Sequence, residues 1–156
     1  MDGSLDWLKN VMRVSPAHYR FHWADIGPIA AWSHPKDKTT APKWPFYSIG
    51  ALAAEEKPFD FYFVDGRFRV ASVCACLMHA ALHGKTPGEF RVGLHDFRAR
   101  HTKTYKDVLT VAEVVEGFDP NGPAHQEVNL VILRRRADVG DAQVLQLWDK
   151  HSMVPD

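Results

Sequence analysis

The sequence lacks the features that mark several classes of protein. No apolar run approaches the roughly 20 residues of a membrane-spanning helix, and no signal peptide opens the chain. Its 19 basic residues balance 19 acidic ones, so net charge gives no attraction toward nucleic acid or an anionic membrane. We therefore expect a soluble, cytoplasmic protein without a nucleic-acid or membrane partner.

Cysteine is scarce, and its placement excludes a disulfide framework. The only two cysteines are Cys74 and Cys76, which stand two apart in an expected helix and so point in different directions. This suits a reducing compartment, or simply a fold without disulfides. With 156 residues, of which 46% are hydrophobic, the chain has the size and composition of one globular domain over 1–156.

What the sequence does contain is an alternation of strand and helix patterns. The predicted elements are a helix over 5–14, a strand over 19–24, a long loop over 28–45, a strand over 59–64, a helix over 69–83, a strand over 90–94, a helix starting near Thr104, a hairpin of strands over 111–118 and 128–134, and a helical tail within 138–156. This order predicts a three-layer, mostly parallel α/β sheet closed by an antiparallel hairpin. Strand 59–64 does not alternate strictly, so we expect it to be covered on both faces.

Acidic residues follow three of these strands. They are Asp25, Asp65 and Asp96, and ligands of such sheets bind at the carboxyl ends of the strands. We expect the carboxylates of Asp65 and Asp96 to lie within about 10 Å of each other. One interpretation is a site pair, which could also hold a hard metal ion. The alternative is that both only cap the turns into the following helices.

Basic residues surround the same strand ends. Arg67 and Arg69 could grip an anionic substrate with their planar guanidinium groups, or one of them could form an ion pair with a neighbouring aspartate. Arg98 begins a basic rim at the same edge. His95 could act as a general base toward a sugar hydroxyl, or could make only a structural hydrogen bond.

Two tryptophans of the proline-rich loop are further candidates. Trp32 and Trp44 could stack on a sugar ring, although burial in the core is the commoner fate of such residues. Both alternatives stay open at this point.

Three segments together resemble a known family. The stretch FDFYFVDGRFRVA at 59–71, the later HDF at 95–97 and DIGPIAAW at 25–32 resemble methyltransferase-like proteins related to the plant glucuronoxylan O-methyltransferases. These belong to the class I superfamily that depends on S-adenosylmethionine (SAM). VDGRFRVA is the specific part, and the likeness runs to about residue 134. It implies a Rossmann-like fold and O-methyl transfer from SAM to a carbohydrate or another small hydroxyl substrate.

The resemblance also implies roles for individual residues. It places the cofactor at Asp2, Trp7, Asp25, Ile26, Asp65 and Gly66. It places Asp65 beside the methyl donor and Asp96 near the substrate, where related O-methyltransferases sometimes share the carboxylate with a divalent metal. From their positions at the strand ends, we expect Asp65, His95 and Asp96 to be the catalytic group, and Asp65 and Asp96 to be the ligands of any metal. For the same reason we expect Arg67, Arg69 and Arg98 to orient the substrate.

The sequence departs from the family pattern in one respect. The 156 residues contain no G-x-G turn, which in the superfamily follows the first strand and holds the methionine end of SAM. We therefore expect a fold without the first βαβ unit and weak SAM binding. Strand 19–24 would then pair directly with 59–64, or a second copy or a partner chain would supply the absent strand. A degenerate, non-catalytic domain that acts in protein association is the alternative function, and an enzyme of another class that shares only the fold is a third.

Overall fold

The computed structural model describes residues 4–14, 16–17, 19–97, 105–117 and 130–155. The elements are α1 (Leu5–Met12), α2 (Pro45–Ile49), β1 (Phe61–Val64), α3 (Arg69–Leu82), β2 (Arg91–His95), β3 (Ala112–Glu116), β4 (Leu130–Arg135) and α4 (Asp141–His151), with short 3₁₀ helices at Ala31–Ser33, Lys38–Lys43, Leu52–Ala54 and Lys106–Thr110. The fold is α/β. Within these ranges, no helix has the length and apolar character needed to cross a bilayer.

The four strands form one mixed sheet in the order β1-β2-β4-β3. Strands β1 and β2 are parallel, whereas β4 runs antiparallel to both β2 and β3. The predicted hairpin is therefore confirmed. The sheet is less parallel than expected, because one pair of described neighbours is parallel and two are antiparallel.

Residues 19–24 do not form a strand of this sheet, so the first of the two predicted arrangements, pairing with β1, is wrong. The second, in which another chain supplies a strand, stays a prediction. The apolar residues of 19–24 alternate, but alternation gives a strand only where a neighbouring strand accepts the backbone hydrogen bonds. Here the rings of Tyr19 and Phe21 stack at 6.3 Å, and Arg20 forms an ion pair with Glu55 at 2.7 Å. As a result β1 is an edge strand among the described residues.

The main core lies between one face of the sheet and two helices. Alternate residues of three strands point to this face, and they pack against α3 and α4. The strand residues are Tyr62, Val64, Val92, Leu94, Val131 and Leu133. Helix α3 is apolar nearly all round because most of its residues are buried in this layer.

The other face of β1 is uncovered by the described residues, contrary to the expectation that this strand is buried on both faces. Phe61 is 50% exposed and Phe63 is 55% exposed. Gly93 of β2 gives these rings room, since a Cβ there would lie 2.8 Å from the Phe61 ring. The strand does alternate in burial, but the alternation is hidden in the sequence because both sets of residues are apolar.

A second, smaller core supports the strand ends. Trp44, Tyr47 and Phe68 form part of it, with ring centroids of Phe68 at 5.9 Å from Trp44 and 5.3 Å from Tyr47. The sequence pattern predicts no helix here. Helix α2 nevertheless starts at Pro45, a residue that suits the first position of a helix.

The two cysteines are free and buried in α3, as expected. Burial raises the pKa of Cys74 and of Cys76 to about 12. Both thiols therefore stay protonated at neutral pH and are poor nucleophiles.

Candidate functional site

Three side chains meet where β1 and β2 end. Asp65 follows the last residue of β1, while His95 ends β2 and Asp96 follows it. Because β1 and β2 are parallel neighbours, their carboxyl ends lie at one edge of the sheet. One ligand atom from each side chain lies within 4.8 Å of the others. The prediction that Asp65 and Asp96 lie together at this edge is confirmed.

His95 lies against both carboxylates. Its Nδ1 atom is 2.9 Å from Asp65 Oδ1 and 3.5 Å from Asp96 Oδ1. Nδ1 is buried and makes no hydrogen bond of good geometry to any residue that the structure describes, so the short distance to Asp65 reflects proximity rather than a formed hydrogen bond.

Arg69 neutralises part of this negative charge. Its Nη2 donates to Asp96 Oδ2 at 3.0 Å and lies 3.5 Å from Asp65 Oδ1, while Nη1 donates to Tyr105 Oη at 2.6 Å. The Arg69 side chain is only 5% exposed. Of the two interpretations of the arginines, the ion pair with aspartate therefore applies to Arg69.

Arg67 has different surroundings. Its Nη1 donates to His34 Nε2 at 3.0 Å, and its backbone N–H donates to Tyr47 Oη at 3.2 Å. Because a guanidinium can only donate, His34 is the acceptor of this bond. The bond ties the 28–45 loop to the start of α3.

The cluster lies in a cavity of about 600 Å³. The cavity is lined by Ser4, Trp7, Ile29, Ala30, Trp32, Ser33, Tyr47, Asp65, Gly66, Arg67, Arg69, His95 and Asp96. A second cavity of about 560 Å³ runs beside β1 and shares Trp7, Tyr47, Asp65 and Gly66 with the first. The two form one cleft that follows β1 to its carboxyl end.

Unusual backbone conformations concentrate around this cleft. Among the described residues other than glycine, positive φ angles occur at Trp32 (60°), Ser33 (57°), Phe68 (54°) and Asp96 (59°). Three of them line the first cavity, and Phe68 lies between Arg67 and Arg69. Such conformations cost energy and are enriched at functional sites, so their clustering supports a functional role for the cavity.

The chain was compared with known proteins and solved structures, and one likeness concerns its fold. No family model and no curated protein matches the chain. The crystal structure of a methyltransferase-like protein from Silicibacter pomeroyi DSS-3 is similar, with a TM-score of 0.66 and 18% sequence identity over 99% of this chain and 75% of that chain. The chain has a methyltransferase-like fold. At this identity the likeness concerns the fold alone.

The methyltransferase-like fold brings some of the predicted site residues together and leaves others apart. Trp7 and Gly66 line the cleft with the Asp65–His95–Asp96 cluster. Asp25 and Ile26 do not line it. Asp25 pairs with Lys43 at 2.7 Å, which lowers the pKa of Asp25, and Ile26 is fully buried in the second core. Asp2 and Arg98 lie outside the described residues.

The capping alternative does not apply to Asp65. The residue before α3 is Phe68, and no side chain caps this end of the helix by a hydrogen bond. The two tryptophans have different environments. Trp44 is buried in the core, whereas Trp32 is 84% exposed at the cavity.

Two tyrosines that contact Arg67 and Arg69 are not predicted from the sequence. Tyr47 Oη accepts the Arg67 N–H, and Tyr105 Oη accepts from Arg69 across 36 positions of sequence. No local pattern marks either residue, because each acts through a contact with a distant part of the chain.

Proposed function

We propose that this chain carries the acceptor side of a SAM-dependent O-methyltransferase site, with a carbohydrate or another small hydroxyl compound as acceptor. The observation that carries the proposal is the Asp65–His95–Asp96 cluster, which lies at the carboxyl edge of parallel strands on a cavity of about 600 Å³. The methyltransferase-like fold supports it.

SAM supplies an electrophilic methyl group when bound. The cavity beside β1 is lined by Trp7, Tyr47 and Asp65, and such aromatic and carboxylate side chains would suit the sulfonium end of this cofactor, because both attract a cation. The fit is incomplete at the methionine end, because the sequence has no G-x-G turn to donate backbone N–H groups. We propose that a strand from a second copy or a partner chain adds at the free edge of β1 and completes the site.

In the proposed reaction His95 takes the proton of the acceptor hydroxyl. The acceptor oxygen would then take the methyl group that SAM supplies, with S-adenosylhomocysteine as the leaving group. Asp65 and Asp96 stabilise the positive charge that His95 gains, because Nδ1 lies 2.9 Å and 3.5 Å from their oxygens.

Arg67 and Trp32 are the proposed acceptor contacts. Both line the first cavity, and Trp32 presents an exposed ring at its rim. A ring of this kind stacks on the apolar face of a sugar, while Arg67 can donate to a negatively charged substituent. The proposed reaction uses no divalent metal, and the metal predicted at Asp65 and Asp96 would have to displace Arg69, which contacts both carboxylates.

Asp65→Asn tests the proposed function. We expect methyl transfer at millimolar SAM to fall by about 100-fold or more, which is the scale of loss when acid–base machinery is disturbed. Labelled-methyl transfer to a panel of glycans and small hydroxyl compounds measures it. Asp60→Asn is the matched control, since Asp60 is an exposed aspartate on the same segment that pairs with Lys85. Wild-type turnover by a folded Asp65→Asn variant would count against the proposal.

Protein association without catalysis is the second candidate function, and a specific observation favours it. The Asp60 carbonyl accepts from the Arg91 N–H at 3.0 Å, so by alternation the backbone amides of Phe61 and Phe63 face away from β2. No strand of the described residues pairs with this edge of β1, and such an edge beside half-exposed phenylalanines is a template for an added strand.

A further inference from the structure

We propose that Arg69 is a positioning residue whose guanidinium serves as the built-in cation of the Asp65–His95–Asp96 cluster and keeps divalent metal ions out of it. This inference concerns the site of the proposed function. It is tested by metal binding, without any methyl transfer, so the two can fail separately.

The guanidinium of Arg69 lies next to both carboxylates of the cluster. Arg69 Nη2 contacts Asp96 Oδ2 at 3.0 Å and Asp65 Oδ1 at 3.5 Å, so it lies between the two carboxylates. A divalent cation bound to both carboxylates would have to lie against this fixed positive charge. The three potential ligand atoms lie within 4.8 Å of one another, which leaves little room for both cations.

Helix formation does not explain why an arginine stands at position 69. Arg69 is the first residue of α3, where the helix dipole disfavours positive charge, and the first turn of α3 has no acidic residue. The side chain is also buried, which further disfavours a charge. The carboxylates of Asp65 and Asp96 and the Tyr105 hydroxyl offset these costs, so the guanidinium belongs to the cluster rather than to the helix.

Tyr105 is the third part of the arrangement. Its hydroxyl accepts from Arg69 Nη1 at 2.6 Å, and its ring centroid lies 5.4 Å from the guanidinium carbon. These contacts orient the planar group so that Nη2 faces the carboxylates. Removing the hydroxyl should therefore loosen the guanidinium without removing its charge.

Cobalt(II) titration tests the proposal, with visible absorption and thermal unfolding as the measurements. The proteins are tag-free wild type, Arg69→Met, the charge-conserving Arg69→Lys and the hydroxyl-deleted Tyr105→Phe. Arg69→Met combined with Asp96→Asn shows whether bound cobalt uses the cluster rather than another of the nine histidines. Far-UV circular dichroism checks that each variant is folded.

We expect wild type and Arg69→Lys to show no cobalt absorption band at micromolar metal. Arg69→Met should bind cobalt at least about tenfold more tightly than wild type and unfold at a higher temperature when cobalt is present. The added Asp96→Asn change should remove this gain. A merely structural role of Arg69 would give no new metal site.

Micromolar binding of one cobalt ion by wild type, lost in Asp96→Asn, would overturn the proposal. A folded Arg69→Met variant that gains no affinity would overturn it as well. If Arg69→Met does not fold, the cobalt affinities of wild type and Tyr105→Phe test the proposal instead. Tyr105→Phe should bind cobalt more tightly than wild type, and equal affinity of the two would contradict the role given to the guanidinium.

Discussion

Gly66 shows how one missing methyl group shapes the cleft. A Cβ at this position would collide with the Tyr47 hydroxyl, which also accepts the Arg67 N–H at 3.2 Å. The glycine is required by close approach of a side chain, because its backbone does not adopt a positive φ angle. The sequence showed a glycine after a strand and an aspartate, but it could not show which group approaches it.

Gly66→Ala should therefore lower the free energy of unfolding by about 1–3 kcal/mol, the usual cost of adding volume to a packed site. Urea unfolding measures this change. Gly88→Ala is the matched control, since nothing lies within 4 Å of an added Cβ there and we expect a change below about 0.5 kcal/mol. Combining Gly66→Ala with Tyr47→Phe should recover part of the loss. Equal stability of the two alanine variants would show that Tyr47 moves aside freely.

For the residues of the candidate site, too, contacts between distant parts of the chain could not be predicted from the sequence. That Asp65, His95 and Asp96 lie together was predictable from sequence, because a strand end is a local feature and parallel strands bring their ends together. The role of Arg69 was not decided, because its choice between substrate and aspartate depends on Tyr105. Contacts over 36 positions leave no signature in one sequence.

At the scale of elements, the sequence pattern predicted those boundaries that depend only on neighbouring residues. Helix α3 begins and ends as expected, since its apolar run stops at Gly84, which has a positive φ of 79°. The 19–24 segment has the composition of a strand, but no described strand pairs with it. Because this segment forms no strand, β1 lies at the edge of the sheet that the described residues form, and Phe61 and Phe63 are half exposed.

The two faces of β1 should respond differently to the same substitution. Phe63→Lys places a charge on the uncovered face, so we expect native circular dichroism and weaker self-association. Tyr62→Lys places the charge in the core and should unfold the domain, because burying an unpaired charge is among the costliest substitutions. Sedimentation velocity over a range of concentrations and thermal melts measure the two effects. Similar destabilisation by both variants would mean that β1 is covered on both faces.

At the scale of the whole molecule, the observations support the fold more directly than they support a particular reaction. The chain resembles a methyltransferase-like structure over 99% of its own length and 75% of that chain. The α/β class and the antiparallel hairpin were predictable, because both follow from the order of strands and helices along the chain. The mixed sheet with β1 at its edge was not, since it depends on which segments find partners.

The final prediction concerns cofactor binding by the whole chain. A G-x-G turn would donate backbone hydrogen bonds to the charged methionine end of SAM, and these 156 residues contain none. Each such bond contributes about 1.5–3 kcal/mol, so the absence of two or three weakens binding by several orders of magnitude. We expect the purified chain alone to bind SAM with a Kd no tighter than about 1 mM.

Isothermal titration calorimetry measures this affinity, with Asp65→Asn as the control that separates binding in the cleft from binding elsewhere. If a second chain supplies the donors at the β1 edge, affinity should rise with protein concentration, and Phe63→Lys should abolish that rise because it blocks strand addition beside β1. A micromolar, one-to-one isotherm for the chain at low concentration would show instead that its own residues hold the methionine end. The G-x-G turn would then be dispensable in this fold.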